Sequence, residues 1–266
     1  MHTFKKNELA IENSHGVDIS IDKLTKRFHK SILYQDFALE IPSSQITCIF
    51  GPNGCGKSTL LNLIAGLIPS DSGQILFGGK VRSDIKIGYV FQNYRDALFP
   101  WLRAIDNIKY PLASAGISNI QCRLRTEELI HQFNVQFDLN RYPYELSGGQ
   151  QQLVSIMRSL AINPNILFLD EPFSALDYEA TLSIRDKLQE VFVTTGVTIV
   201  MVSHDLEEAV YLADNLVLLT KRPTRIAEIV TFNAGRPRTL DIISNPEFIH
   251  AKSHSLNVFR READRS

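Results

Sequence analysis

The sequence has little cysteine: Cys48, Cys55 and Cys122 are the only three in 266 residues. The count is odd, and no two of them form a Cys-x-x-Cys pair. Disulfide frameworks and zinc sites usually show even counts or such pairs. The sequence therefore argues against either, favours a reducing compartment, and gives Cys55 the role of a small packing residue.

An excess of one charge and a long apolar run are also missing. The 28 basic and 29 acidic residues leave a net charge of -1, so the basic footprint of a nucleic-acid partner is absent and none is expected. Apolar runs such as residues 197–202 are strand-sized, far short of the roughly 18 residues of a membrane span. Residues 1–16 lack a signal-peptide core and predict a polar leader.

Short apolar runs alternate with helical patterns in most of the chain. ITCIF, ILFLD, VTIVMV and NLVLL each read as a buried strand, with helical sequences between them. This alternation predicts an α/β fold with a mainly parallel sheet covered on both faces. GQILFGG and KIGYVFQ predict two short strands around a Gly-Gly turn, and residues 93–144 predict several helices. The residues after Gly235 show no clear pattern.

Residues 51–59, GPNGCGKST, match the phosphate-loop pattern G-x-x-x-x-G-K-[ST] between a strand and a helix. Glycines let backbone N–H groups converge on phosphate oxygens, and the helix N-terminus adds positive dipole. Lys57 is expected to pair with the outer phosphates and Ser58 to bind Mg²⁺. A glycine turn without ligand is the alternative, disfavoured by the flanking elements. The predicted ATP-binding residues here are Gly51, Pro52, Asn53, Gly54, Cys55, Gly56, Lys57, Ser58 and Thr59.

Two carboxylates end the apolar strand ILFLDE at residues 166–171. Ligands bind at the carboxyl ends of strands in open parallel sheets. Asp170 is expected to hold Mg²⁺ through water, and Glu171 to orient or deprotonate the attacking water. A solvated acidic turn is the alternative for such a pair when it occurs alone.

Between these motifs lies LSGGQ, residues 146–150, directly before a helix. It resembles the signature motif of the ABC transporter ATPases. The resemblance implies a second phosphate-facing helix terminus that binds the ATP of a partner copy. Its expected residues are Ser147, Gly148, Gly149 and Gln150.

Other positions resemble this family in the same order along residues 17–229. Phe28 resembles the adenine-stacking aromatic, Gln92 the residue that senses Mg²⁺ and the γ-phosphate, and Asp177 the loop crossing the dimer interface. His204 resembles the switch histidine at the γ-phosphate, which joins Lys57 and Glu171 as a catalytic candidate. Phe28 could instead be core packing, Gln92 a surface residue and His204 a plain strand-end histidine.

The resemblance implies a P-loop NTPase (RecA-like) core, an antiparallel β subdomain and a helical signature subdomain. We expect an ATPase domain at 17–235, its helical part at about 93–160, and a tail at 236–266. The implied protein hydrolyses ATP with Mg²⁺ as a homodimer, docked on transmembrane permease subunits at the cytoplasmic face of the inner membrane. A solute-binding protein would be an indirect partner.

The expected docking patch contains Leu98, Phe99 and Trp101, although a local hydrophobic plug is the alternative. The Pro-Trp pair, the following Asp-Asn-Ile and residues 219–230 resemble the nitrate, sulfonate and taurine import subgroup. A soluble ABC ATPase acting on DNA, ribosomes or iron–sulfur partners is a rival interpretation, but the chain lacks long heptads and a second ATPase unit. LSGGQ argues against a third interpretation, a small-molecule kinase.

Overall fold

The computed structural model describes residues 15–81, 85–174 and 176–264; residues 1–14 of the expected leader and residue 175 lie outside them. The strands of this part of the chain are β1 Ile19–Phe28, β2 Ser31–Ile41, β3 Ile46–Phe50, β4 Ser72–Phe77, β5 Ile87–Val90, β6 Ile166–Asp170, β7 Thr198–Val202, β8 Asn215–Leu219 and β9 Ile226–Thr231. The helices are α1 Lys57–Ile64, α2 Tyr94–Ala97, α3 Ala104–Ser114, α4 Asn119–Gln132, α5 Gly148–Leu160, α6 Tyr178–Thr195, α7 Leu206–Leu212 and α8 Pro246–Asp264.

The larger sheet has the strand order β5-β6-β7-β3-β8-β9. Its strands are parallel except for β9, which is antiparallel to β8. Every residue of β3, β6 and β7 is buried, as continuous apolar runs predict for strands covered on both faces. The predicted α/β core with a mainly parallel sheet is confirmed.

The smaller sheet is antiparallel, in the order β2-β1-β4. Strand β4 pairs with β1 of this sheet, whereas β5 pairs with β6 of the larger one. The two strands predicted on either side of the Gly-Gly turn both form, as β4 and β5, but in different sheets. Left-handed Gly78 and Gly79 form the turn after β4. The packing of a strand's side chains, rather than the turn beside it, determines which strand it pairs with.

Side-chain caps define where several helices begin. Ser118, Ser147, Asp177 and Asp205 each precede a helix and accept a hydrogen bond from a backbone N–H of its first turn. Gly196 ends α6 with a left-handed φ of 64°, which glycine adopts at little cost. Asp177 and Asp205 cap the helices that follow β6 and β7.

Helices α2 to α5 form the helical region between β5 and β6, with α3 packed on α5. Beyond Gly235 the chain forms a 3-10 turn, Leu240–Ser244, and then α8, which buries Phe248 and Val258 in the main core. None of the helices in the described ranges is long and apolar enough to cross a membrane.

Candidate active site

A cleft of about 600 Å³ opens at the carboxyl edge of the larger sheet. Strands β3, β6 and β7 are neighbours and run parallel, so their following residues meet at this edge. The phosphate loop follows β3, the acidic pair ends β6 and His204 follows β7. The cleft is lined by Asn53, Gly54, Gly56, Lys57, Ser58, Thr59, Gln92, Glu171, His204 and Arg222.

The phosphate loop needs glycine at two of its positions. Gly54 and Gly56 have φ values of 76° and 102°, a region that residues with a Cβ rarely adopt. A Cβ on Gly56 would also lie 2.8 Å from a methyl carbon of Leu33. The buried Lys57 Nζ donates to the carbonyls of Gly51 and Pro52, at 3.0 and 3.3 Å. The ammonium charge is thus held against the loop at the start of α1.

Ser58, which lines the cleft, contacts the buried Asp170. Ser58 Oγ donates to Asp170 Oδ1 at 2.9 Å. Burial raises the pKa of Asp170; repulsion from Glu171 adds to this, while the Ser58 hydrogen bond and Lys57 oppose it. A hydroxyl and a carboxylate side by side are the hard oxygen donors that Mg²⁺ prefers.

Glu171 is contacted by two of the other expected site residues. Its Oε2 accepts a hydrogen bond from Gln92 Nε2 at 2.8 Å and lies 3.4 Å from His204 Nδ1. Its φ is 46°, unusual for a residue other than glycine and typical of positions under functional constraint. Residues that follow β5 and β7 therefore converge on the carboxylate that follows β6.

The signature residues lie away from this cleft. Ser147 Oγ accepts from the Gln150 N–H at 3.3 Å, and Gln150 Oε1 accepts from the Ser147 N–H at 3.0 Å, a capping box that starts α5. Gly148 opens the helix, and a Cβ on Gly149 would lie 2.9 Å from Ala180 Cβ on α6. None of the four is among the residues that line the cleft.

Six more expected residues are outside the cleft lining: Phe28, Gly51, Pro52, Cys55, Asp170 and Asp177. Phe28 ends β1 with 43% of its surface exposed, and Lys26 Nζ lies 5.3 Å from its ring centre. Asp177 caps α6 by accepting from the Ala180 N–H at 2.8 Å. Cys55 is buried, and burial raises the pKa of its thiol, so the side chain is neutral and packs.

The expected docking patch is only partly exposed. Leu98 is buried in the main core, so its place in an exposed patch is corrected: its side chain is more stable among the helices than in water. The Phe99 ring contacts Trp101 in a tilted arrangement and Tyr110 in an edge-to-face one, at centre distances of 5.4 and 4.7 Å. Trp101 is 70% exposed. The apolar surface at this site is therefore aromatic.

Tyr34, Arg222 and Thr224 were not anticipated from the sequence. All three donate side-chain hydrogen bonds to the phosphate loop. They lie outside the loop's motif, and residues 219–230 carry only a subgroup resemblance. In α5, Met157 is buried and Leu153 packs against the core.

Comparison with known proteins agrees with this geometry. Residues 34–174 match the ABC transporter family model, and the chain belongs to the ABC transporter family as an ATPase that binds ATP. It is 38% identical over 238 residues to the taurine import ATP-binding protein TauB of Escherichia coli (strain K12), covering 86% of this chain and 92% of that protein. It is 34% identical to the uncharacterized ABC transporter ATP-binding protein MJ0412 of Methanocaldococcus jannaschii, covering 98% of both.

Solved structures show the same fold. The ATP-binding cassette MJ0796, a dimer in a post-hydrolysis state bound to ADP and Pi, is 29% identical. It superposes with a TM-score of 0.70 over 82% of this chain and all of that one. CbiO1 of Clostridium perfringens, 24% identical, shares the fold with a TM-score of 0.73, covering 90% of this chain and 95% of that one.

Proposed function

We propose that the protein is the ATPase subunit of an importer for a small anion such as nitrate, a sulfonate or taurine. The meeting of Lys57, Ser58 and Glu171 at one cleft, with Asp170 hydrogen-bonded to Ser58, supports the ATPase assignment. The 38% identity to a protein named for taurine import supports the transport class. The resemblance of residues 219–230 to that import subgroup supports it as well.

In this proposal the triphosphate lies along the phosphate loop, residues 51–59. Backbone N–H groups at the start of α1 face the phosphate oxygens, and Lys57 pairs with the outer phosphates. Phe28 stacks on adenine, since its exposed ring is open to a planar ligand. These contacts bind ATP and align its γ-phosphate with Glu171.

Ser58, Asp170 and Gln92 fit a magnesium site. Ser58 Oγ and Asp170 Oδ1 are hydrogen-bonded neighbours, and the Gln92 amide adds a neutral oxygen donor. When bound, Mg²⁺ offsets the negative charge of the phosphates. Ionised Asp170 is the form that binds the cation.

Glu171 acts as the general base for the attacking water. Its carboxylate takes a proton from the water as the water oxygen bonds to the γ-phosphorus, while the bond from that phosphorus to the β,γ-bridging oxygen breaks and ADP leaves with that oxygen. Gln92 holds Glu171 Oε2 through a 2.8 Å hydrogen bond, and His204 Nδ1 lies 3.4 Å from the same oxygen. Lys57 and His204 then face the charge that develops on the phosphate oxygens.

Two copies of the chain complete each ATP site. Ser147, Gly148, Gly149 and Gln150 lie away from their own cleft, so they serve the nucleotide of a partner copy. Two-fold symmetry gives two equal composite sites, with Asp177 at the interface. The dimeric MJ0796 cassette supports this arrangement.

The aromatic cluster of Phe99, Trp101 and Tyr110 is the proposed docking surface for the permease. Exposed aromatic groups are enriched at the centres of protein interfaces. The ATPase domain at 17–235 then lies at the cytoplasmic face of the inner membrane. The solute-binding protein acts indirectly, through the permease.

Replacing Glu171 with glutamine tests the ATPase part. The Glu171→Gln variant keeps its size and its ATP affinity but loses the base, so hydrolysis falls about 100-fold or more. Light scattering should show an ATP-bound dimer that persists. The exposed Glu127→Gln on α4 is the matched control and keeps normal turnover. Normal hydrolysis in Glu171→Gln would refute the base assignment.

Transport is tested in proteoliposomes that hold the ATPase with its co-purified permease. Solute-binding protein loaded with taurine, nitrate or an alkyl sulfonate should stimulate ATP hydrolysis with one of them. The Glu171→Gln complex serves as the background rate. A complex stimulated by none of the three would rule out this substrate class.

A further inference from the structure

The loop between β8 and β9, residues 220–225, packs against the phosphate loop. Its backbone joins β2, because the Thr224 N–H donates to the Leu33 carbonyl at 2.8 Å. Tyr34 and Thr224 also form an isolated parallel bridge. Two segments distant in sequence are thereby fixed side by side against the phosphate loop.

Three consecutive carbonyls of the phosphate loop each accept a side-chain hydrogen bond from this assembly. Arg222 Nε donates to the Gly54 carbonyl at 2.6 Å, and Thr224 Oγ1 to the Cys55 carbonyl at 2.6 Å. Tyr34 OH donates to the Gly56 carbonyl at 3.0 Å. Thr224 and Tyr34 are buried, whereas Arg222 is exposed at the edge of the cleft.

Each carbonyl fixes the direction of the N–H in the same peptide. A trans peptide is planar, with its C=O and N–H pointing opposite ways. Thr224 therefore sets the direction of the Gly56 N–H, and Tyr34 that of the Lys57 N–H. Both of these residues line the cleft. Successive N–H groups held in this way form an anion-binding concavity.

The Tyr34 and Thr224 hydroxyls can hold the phosphate loop in place before ATP binds. Burial raises the pKa of Tyr34, so its hydroxyl keeps the proton that it donates. Left-handed Gly56 lacks a Cβ that would restrict its backbone. Its carbonyl also accepts from the Leu60 N–H at 2.8 Å, and the Tyr34 hydroxyl is a second donor to it. Groups that are ordered before the ligand arrives bind it more tightly, because less entropy is lost.

We propose that Tyr34 and Thr224 are positioning residues that hold the phosphate loop ready for ATP. This rests on the proposed assignment of the phosphates to residues 51–59. The ligand concerned is the phosphate chain of the nucleotide, and neither side chain touches it. Arg222 makes the third such contact from the exposed side.

The test removes each hydroxyl with little change of shape. In the full chain, Thr224→Val and Tyr34→Phe should each weaken binding of Mg²⁺ with a non-hydrolysable ATP analogue about fivefold, the usual effect of one hydrogen bond. KM for ATP should rise similarly while kcat stays near wild type. Thr224→Ser should restore both values. Thr231→Val, on the exposed side of β9, is the matched control and should bind normally.

Two further measurements, of melting temperature and of binding by Lys57→Ala, separate the outcomes. A melting temperature within about 4 °C of wild type shows that the fold survives. If Lys57→Ala loses binding while Thr224→Val and Tyr34→Phe bind as wild type does, the positioning role is overturned and the phosphate site stands. If Lys57→Ala also binds normally, the phosphate assignment fails first and the positioning role fails with it.

Discussion

Glu208 lies in the first turn of α7, close in sequence to His204. Its carboxylate has no part in the proposed chemistry. Ser203 Oγ donates to Glu208 Oε2 at 3.0 Å. Burial is the main cause that raises the pKa of Glu208, with Asp205 adding to it. The Ser203 hydrogen bond, His204 and Arg185 oppose it. Ionised Glu208 is therefore less stable in the folded chain than in the unfolded one.

This gives a pH-dependent stability with a definite sign. Because the folded pKa is higher, the folded state holds the proton longer, and the free energy of unfolding falls as pH rises from the ordinary value of 4.5 through the raised pKa. Glu208→Gln should therefore be more stable than wild type at about pH 8, with the gain shrinking towards about pH 4. Urea unfolding at both pH values measures it. A variant that is less stable at the higher pH would show that the charge is stabilising.

At the scale of elements, Arg238 fastens the C-terminal segment to α7. Its buried guanidinium donates to the carbonyls of Val210, Tyr211 and Ala213, at the helix end where carbonyls lack partners. It also donates to the Phe232 carbonyl and to Asp214. Burial lowers the pKa of Arg238 to about 10, so it stays charged at neutral pH.

Replacing Arg238 should destabilise the folded chain. Arg238→Ala leaves the buried carbonyls without this donor, whereas Asp214 keeps its hydrogen bond from Arg236 at 2.7 Å. We expect the free energy of unfolding to fall by about 1–3 kcal/mol. Arg260→Ala, at an exposed position of α8, should change it by less than about 0.5 kcal/mol. Denaturant unfolding of both variants gives the comparison. Equal stability of the two would mean that another group supports the end of α7.

The same helix α8 shows why some elements could not be predicted from the sequence. Strands β3, β6 and β7 were predictable because they are apolar at nearly every position. The face of α8 that packs inward has regular helical spacing but includes a serine and a glutamate, which hide its period. These buried positions are Phe248, Ala251, Ser255, Val258 and Glu262.

The candidate site divides in a similar way. Lys57, Asp170 and Glu171 lie in contiguous motifs whose order and flanking strands reveal their chemistry. Tyr34 and Thr224 act through the phosphate loop from two other segments, and an isolated tyrosine or threonine carries no motif. Only the fold brings them to the loop, so the sequence could not indicate them.

At the scale of the whole molecule, the proposed dimer has each chain contribute to two different ATP sites. The cleft of about 600 Å³ has the phosphate loop and Glu171, while Ser147 and its neighbours are absent from its lining. If each site takes its signature residues from the other copy, two inactive variants with defects in different halves of the site should regain ATP hydrolysis when they form a mixed dimer. That separates a composite dimer from two independent subunits.

Mixing two inactive variants tests this. Lys57→Ala disables the phosphate loop of its own chain, and Ser147→Arg places a bulky cation at the exposed end of α5. Each variant alone damages both sites of its dimer and should hydrolyse little ATP. A mixed dimer combines the two defects in one site and leaves the other intact. Random assortment then restores about a quarter of wild-type activity, since half of the dimers are mixed and each has one working site.

Each variant alone, at the same total protein concentration, is the control. If the mixture stays as inactive as its components, each chain completes its own site and the shared-site dimer is wrong.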